Sequence, residues 1–305
     1  VPQPTCAVAI TDTDHASLVA GPQVVRQWRA AIDIELAERA GRTALMRARH
    51  QGPLRIQRVF YPETNGCAHV YLLHPPGGLV VGDELLISLH AATAAHGLLT
   101  TPSAGKIYTV HGLRHSDAAT TQTQSVSLTL DAGSICEWLP QETIVFNGAN
   151  ARLNTHVKAA AGALFCVWDI VCLGRPASDE TFDDGVVEQV LQIHIDDRPV
   201  LIERNRIAGG EPFMQAPWGL QGAGSFGTLV ASVSLSRDQV DALLEDLNHR
   251  WPNAKWGLTQ KKQLFIARYL GPSAAECRYG FIVIWTLLRP LMLDCEAVEP
   301  RIWNT

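Results

Sequence analysis

Val187-Glu188-Gln189-Val190-Leu191-Gln192-Ile193-His194-Ile195 alternates apolar and polar side chains along most of its length. A period of two sends successive side chains to opposite faces of an extended chain, so this stretch reads as a half-buried β-strand. The same alternation runs through Ala30-Ala31-Ile32-Asp33-Ile34-Glu35-Leu36 and through Ser125-Val126-Ser127-Leu128-Thr129-Leu130. Clusters of Gly, Pro, Asn and Asp follow such runs at short intervals, as they must where each strand ends in a turn. The pattern predicts a mainly β body over about residues 25–235.

Two helices are expected after it, in a smaller helical and mixed element over about 236–305. Ser236-Arg237-Asp238-Gln239 opens the first with a capping box, Val240, Leu243, Leu244, Leu247 and Trp251 give it one apolar face, and Pro252 ends it. Ser273-Ala274-Ala275-Glu276 opens the second with the same signature, and Pro290 is expected to stop it. Apolar nearly all round, that helix must be covered by the β body or by a partner. The stretch from Asn205 to Gly227, rich in Gly and Pro, reads as a long irregular loop.

Composition narrows the function. With 305 residues, 47 % of them hydrophobic and 18 % charged, and a net charge of -5, the chain suits a compact globule and not a nucleic-acid binder. Its longest apolar run, Phe281 to Leu288, is far short of the roughly 20 residues of a membrane helix, and Val1 is followed by no signal-like basic and apolar pair. Seven cysteines (Cys6, Cys67, Cys136, Cys166, Cys172, Cys277 and Cys295) are scattered without a CxxC pair, which reads as reduced thiols in a cytoplasmic protein.

Several motifs carry no chemistry. Gly222-Ala223-Gly224-Ser225-Phe226-Gly227 is a literal GxGxxG, but a strand-like segment follows it where a dinucleotide site needs a helix, and Ser225 lacks the strand that leads into a hydrolase elbow. No Walker A sequence occurs, so the chain is not itself a P-loop NTPase. His111 and His115 have helical metal-pair spacing, yet Gly112 and β-like neighbours argue against a helix there. In His74-Pro75-Pro76-Gly77-Gly78, the prolines fix torsions and both glycines permit positive φ, giving a rigid corner between strands at Val70–Leu73 and Glu84–Leu89. Glu137, Glu142 and Asp169 lie among apolar residues and need either a hydrogen-bonding partner or a polar channel.

The segments GPLRIQRVFYPE (52–63), HVYLLHPPGGLVVGDEL (69–85), LLTTPSAGKIY (98–108), EWLPQETIVFNGA (137–149), LGRPASDE (173–180) and PRIWNT (300–305) together resemble the UreD (UreD/UreH) family of urease accessory proteins. The chain departs from the family pattern at Ser178-Asp179-Glu180 and at Asp294-Cys295. The resemblance implies a single domain over 1–305, a helix-like stack of β-sheets with a small C-terminal helical element. It also implies a non-enzymatic scaffold, without a tightly bound cofactor, that binds apo-urease and recruits UreF and the GTPase UreG in a dimeric higher-order complex. Nickel in transit would pass through it to the urease active site. Glu137, Glu142 and Asp169, with His74 and Glu180, are then expected to line the passage; Asp83 and Glu84 flank His74 as further possible contacts. Arg289, Arg301 and Trp303 are expected to meet UreF. Two other readings are a purely structural assembly partner with no metal passage and a β-rich hydrolase using Glu137 and Glu142 as a carboxylate pair.

Overall fold

The computed structural model describes residues 28–109 and 120–304. Cys6, the His111/His115 pair and Thr305 lie outside the described residues. The strands in chain order are β1 (Arg29–Arg39), β2 (Arg42–Gln51), β3 (Arg55–Phe60), β4 (Ala68–Leu73), β5 (Glu84–Ala91), β6 (His96–Thr100), β7 (Gly105–Ile107), β8 (Gln122–Leu130) and β9 (Ile135–Trp138). They continue with β10 (Thr143–Val145), β11 (Asn150–Ala159), β12 (Leu164–Leu173), β13 (Val186–Ile195), β14 (Arg198–Ala208), β15 (Ser225–Ala231), β16 (Lys255–Lys261) and β17 (Leu264–Gly271); the helices are α1 (Arg237–Arg250) and α2 (Ala274–Leu293).

The three alternating stretches fall within β1, β8 and β13, all members of a seven-stranded sheet ordered β14-β13-β11-β8-β5-β1-β2. A second, ten-stranded sheet runs β16-β17-β15-β12-β9-β6-β4-β3, with β10 beside β12 and β7 beside β10. From β4 to β13 the long strands visit the two sheets in turn, and each stacks parallel on the previous strand of its own sheet. The result is a coil whose rungs stack, as the resemblance implied. At one side the corners 92–95, 131–134 and 160–163 repeat a single hydrogen bond, from the amide of the fourth residue to the carbonyl of the first. Their third residues, Ala94, Gly133 and Gly162, all take positive φ. Two apolar layers result. One lies between the sheets; the other lies between the second sheet and the helices.

The HPPGG segment is the expected corner between β4 and β5, but its two glycines differ. Gly77 uses positive φ (76°). Gly78 does not; a side chain there would meet Tyr108 and the Lys106 carbonyl, so it is needed for close approach.

The loop predicted over 205–227 is shorter, since β14 holds its register to Ala208 and β15 begins at Ser225 inside the GxGxxG, with no helix after it. Both boundaries were masked by a sequence without alternation: Ser225 to Ala231 is buried throughout, so neither face of β15 is polar. The helical element is not separate from the β body, because β16 and β17 extend the second sheet through β15.

α1 carries the full capping box, with Ser236 and Gln239 satisfying each other's backbone amides. α2 has only half of one. Ser273 accepts from the Glu276 amide, while the Glu276 carboxylate turns to the Tyr269 hydroxyl at 3.3 Å. Pro290 does not stop α2, which runs on to Leu293. Proline removes only the bond to the carbonyl four residues earlier, and Thr286 is on the exposed face, where water can replace that donor. No helix among the described residues is long and apolar enough to cross a membrane.

Candidate functional site

Strand alternation decides which way each candidate acid points. On β9, Cys136 and Trp138 belong to the layer between the sheets, so Glu137 turns the other way, under α2. Its carboxylate is fully buried and wholly engaged. Oε1 accepts from Trp285 Nε1 at 2.6 Å and from Arg289 Nε at 3.1 Å; Oε2 accepts from Arg289 Nη2 at 3.1 Å and lies 3.0 Å from His96 Nε2. Arg289 is itself 0 % exposed. It reaches on to Glu63 Oε1 at 2.8 Å, and the same oxygen lies 2.6 Å from His69 Nε2. Its Nη1 donates to the Glu296 carbonyl.

This is a buried cluster of two carboxylates, one guanidinium, two imidazoles and the thiol of Cys67, whose sulfur is 4.0 Å from Arg289 Nη2. Burial pushes the Glu63 carboxyl up, but the hydrogen bonds and charges of His69 and Arg289 outweigh it and bring it down to about 2. Burial opposes ionisation of Glu137 likewise, and its bond to His96 with the Arg289 charge holds it low. Burial and both carboxylates push the Cys67 thiol well up, so it is no resident thiolate nucleophile.

Donor chemistry gives the cluster a second reading. Glu63, Cys67 and His69, and again Cys67, His96 and Glu137, each place their ligand atoms within 4.8 Å of one another. Mixed O, N and S donors suit borderline divalent cations. His69 Nδ1 is buried with no partner. Arg289 meanwhile occupies the anionic centre, so a metal ion entering there must displace the guanidinium.

The expected passage residues do not converge. Glu142 is on the helix side with Glu137, 3.5 Å from Arg278 Nε of α2. Asp169 points the other way from β12, accepts from Thr155 of β11, and faces Glu203 of β14; burial first, then the Glu203 charge, pushes it up to about 7. His74 also faces the layer between the sheets, on a cavity of about 100 Å³ that Gln124, Lys106, Gln141 and Trp138 help to line. The buried Trp138 Nε1 has no partner. The second sheet therefore separates Glu137 and Glu142 from Asp169 and His74. Glu180 is elsewhere again, in a surface turn paired with Arg175 and accepting from the Asn147 amide at 3.0 Å.

Arg289 is not a surface contact, because Glu63 and Glu137 hold it inside. Trp303, too, is mainly internal: its ring lies 5.9 Å from those of both Trp168 and Trp285, and its Nε1 donates to Thr100 Oγ1 at 2.7 Å. Arg301 alone of the three is exposed. Sequence reasoning missed Glu63, Cys67, His69 and His96. A Glu, a Cys and a His within seven residues, in Glu63-Thr64-Asn65-Gly66-Cys67-Ala68-His69, was the available signal.

Compared with known proteins, residues 29–304 match the family described as UreD urease accessory protein. The chain belongs to the UreD family. A urease accessory protein UreD of Saccharophagus degradans is 47 % identical over 292 residues, covering 95 % of this chain and 97 % of the relative. UreD proteins of Dechloromonas aromatica and Hahella chejuensis are 41 % identical over 289 residues (94 % of this chain, 98 % of the relative) and 39 % identical over 294 (92 % and 91 %). As a UreD, the chain is a urease accessory protein and not the urease itself. Its cluster around Glu137 draws on the segments that carry the resemblance, 52–63, 69–85 and 137–149.

Proposed function

We propose that this protein is a cytoplasmic scaffold of urease maturation that binds apo-urease, recruits UreF and the GTPase UreG in a dimeric higher-order complex, and conveys nickel toward the urease active site. It makes and breaks no covalent bonds of its own. Five buried free thiols among the described residues support a reducing compartment, and the lack of a nucleotide loop fits GTP hydrolysis by a partner. The observation that carries the metal role is the pair of overlapping donor sets around Cys67, buried yet free of a resident thiolate. Transit needs ligands that release their ion, and carboxylates already engaged by Arg289 provide a built-in competitor for it.

The UreF contact fits the outer stripe of α2, where Tyr279, Leu287 and Leu291 remain 54 %, 40 % and 52 % exposed. Removing residues 301–305 is a poor test, since it takes Trp303 out of the core; Leu287→Asp with Leu291→Asp leaves the interior alone.

Co-expression of His69→Ala and Cys67→Ala variants with urease and the partner proteins tests the passage. Expected is a lower nickel content of the purified urease with capture of UreF and urease intact. Full nickel content in both variants would leave the second reading, a purely structural partner, which the closed Arg289 ion pair favours.

A further inference from the structure

On the outer face of the first sheet, away from the Glu137 cluster and from the cavity at His74, two histidines meet. His156 of β11 and His194 of β13 are on adjacent parallel strands, with His156 Nε2 3.0 Å from His194 Nδ1 and ring centroids 4.9 Å apart. The two strands share one continuous register from Asn150↔Val186 to Ala159↔Ile195, which holds both side chains on the sheet, His194 at the penultimate position of β13 beside the bulge in its pairing with β14. In that register His156 stands opposite Gln192, and His194 opposite Lys158.

We propose that His156 and His194 form a two-point chelate for a divalent transition cation, copper or nickel, on this face. Imidazole nitrogens bind such ions at about 2.0–2.1 Å, and two nitrogens in neighbouring positions of a square or octahedral field are then about 3 Å apart. A tetrahedral ion would hold them wider, which disfavours zinc. The nitrogens already have this spacing. At 3.0 Å the two rings share one proton in an N–H···N contact whose direction depends on the tautomer, and an ion binding there displaces that proton. Water would fill the remaining positions from the open side of this half-buried pair. The inference does not depend on nickel passing under α2.

Calorimetric titration of the full chain with nickel or copper chloride tests it. Because a chelate needs both arms, His156→Gln and His194→Gln are each expected to weaken one bound ion by about 100-fold. Lys158→Ala, which removes a cation beside the site, is expected to tighten the same ion by a few-fold. It also serves as the arm that leaves both ligands in place should a Gln variant lose its native circular dichroism. Wild-type isotherms from both single Gln variants would reduce the contact to a hydrogen bond and end the proposal. So would loss seen only in the double variant, since the imidazoles would then act independently.

Discussion

Glu137, fully buried, and Asp169, half-buried, are acids on β9 and β12, paired strands of one sheet, but they face opposite sides of it. Glu137 has a guanidinium, an indole N–H and an imidazole around it and is held low; Asp169 has a threonine hydroxyl and another carboxylate and rises to about 7. The deeper acid, Glu137, is the one that stays ionised, so depth does not explain the contrast. What differs is whether a cation is buried alongside, and this decides which face carries a fixed negative charge at neutral pH.

Removing that cation gives the largest expected effect. Arg289→Met leaves Glu63 and Glu137 buried without their cation, held only by His69, His96 and Trp285, so urea denaturation at pH 7 is expected to show a loss of about 3–5 kcal/mol. The loss should shrink in acid. Glu63 titrates at about 2 in the fold against an ordinary 4.5, so its stabilisation is present above 4.5 and disappears as pH falls toward 2. A deficit unchanged at pH 3 would mean that packing, not charge, is what Arg289 supplies. A smaller effect follows from Trp285→Phe, which keeps the ring but deletes the 2.6 Å bond to Glu137; a hydrogen bond to a charged group makes this about 1.5–3 kcal/mol. Opposite in sign is Asp169→Asn. Because the native carboxyl is raised from 3.8 to about 7, its contribution is full below 3.8 and lost as pH rises through 7. The amide escapes that loss, so the variant is expected to be more stable than wild type at pH 8 and close to it at pH 4. Equal stability at both pH values would place Asp169 in contact with water and dissolve the contrast.

Strand identity was legible because β1, β8 and β13 each have one apolar face, and α1 because its caps and its face agree. The coil was not visible as a repeat. Its corners at 92–95, 131–134 and 160–163 recur at unequal intervals, and only backbone bonds reveal their equivalence. Glu137 was legible as an acid in need of a partner, since Cys136-Glu137-Trp138 leaves it no solvent. Its partner was not: local sequence carries no sign that Arg289, at the far end of an apolar helix, turns inward instead of outward. The same gap grouped Asp169 with Glu137, because the face of a strand is known only when its neighbours are.

Glu63 and Arg289 are 226 positions apart. A ribosome adding about 5–20 residues per second therefore exposes Glu63, His69, His96 and Glu137 for tens of seconds before their own cation is synthesised. During that interval the two carboxylates have no arginine to pair with, and the ion pair that closes the cluster must wait for α2.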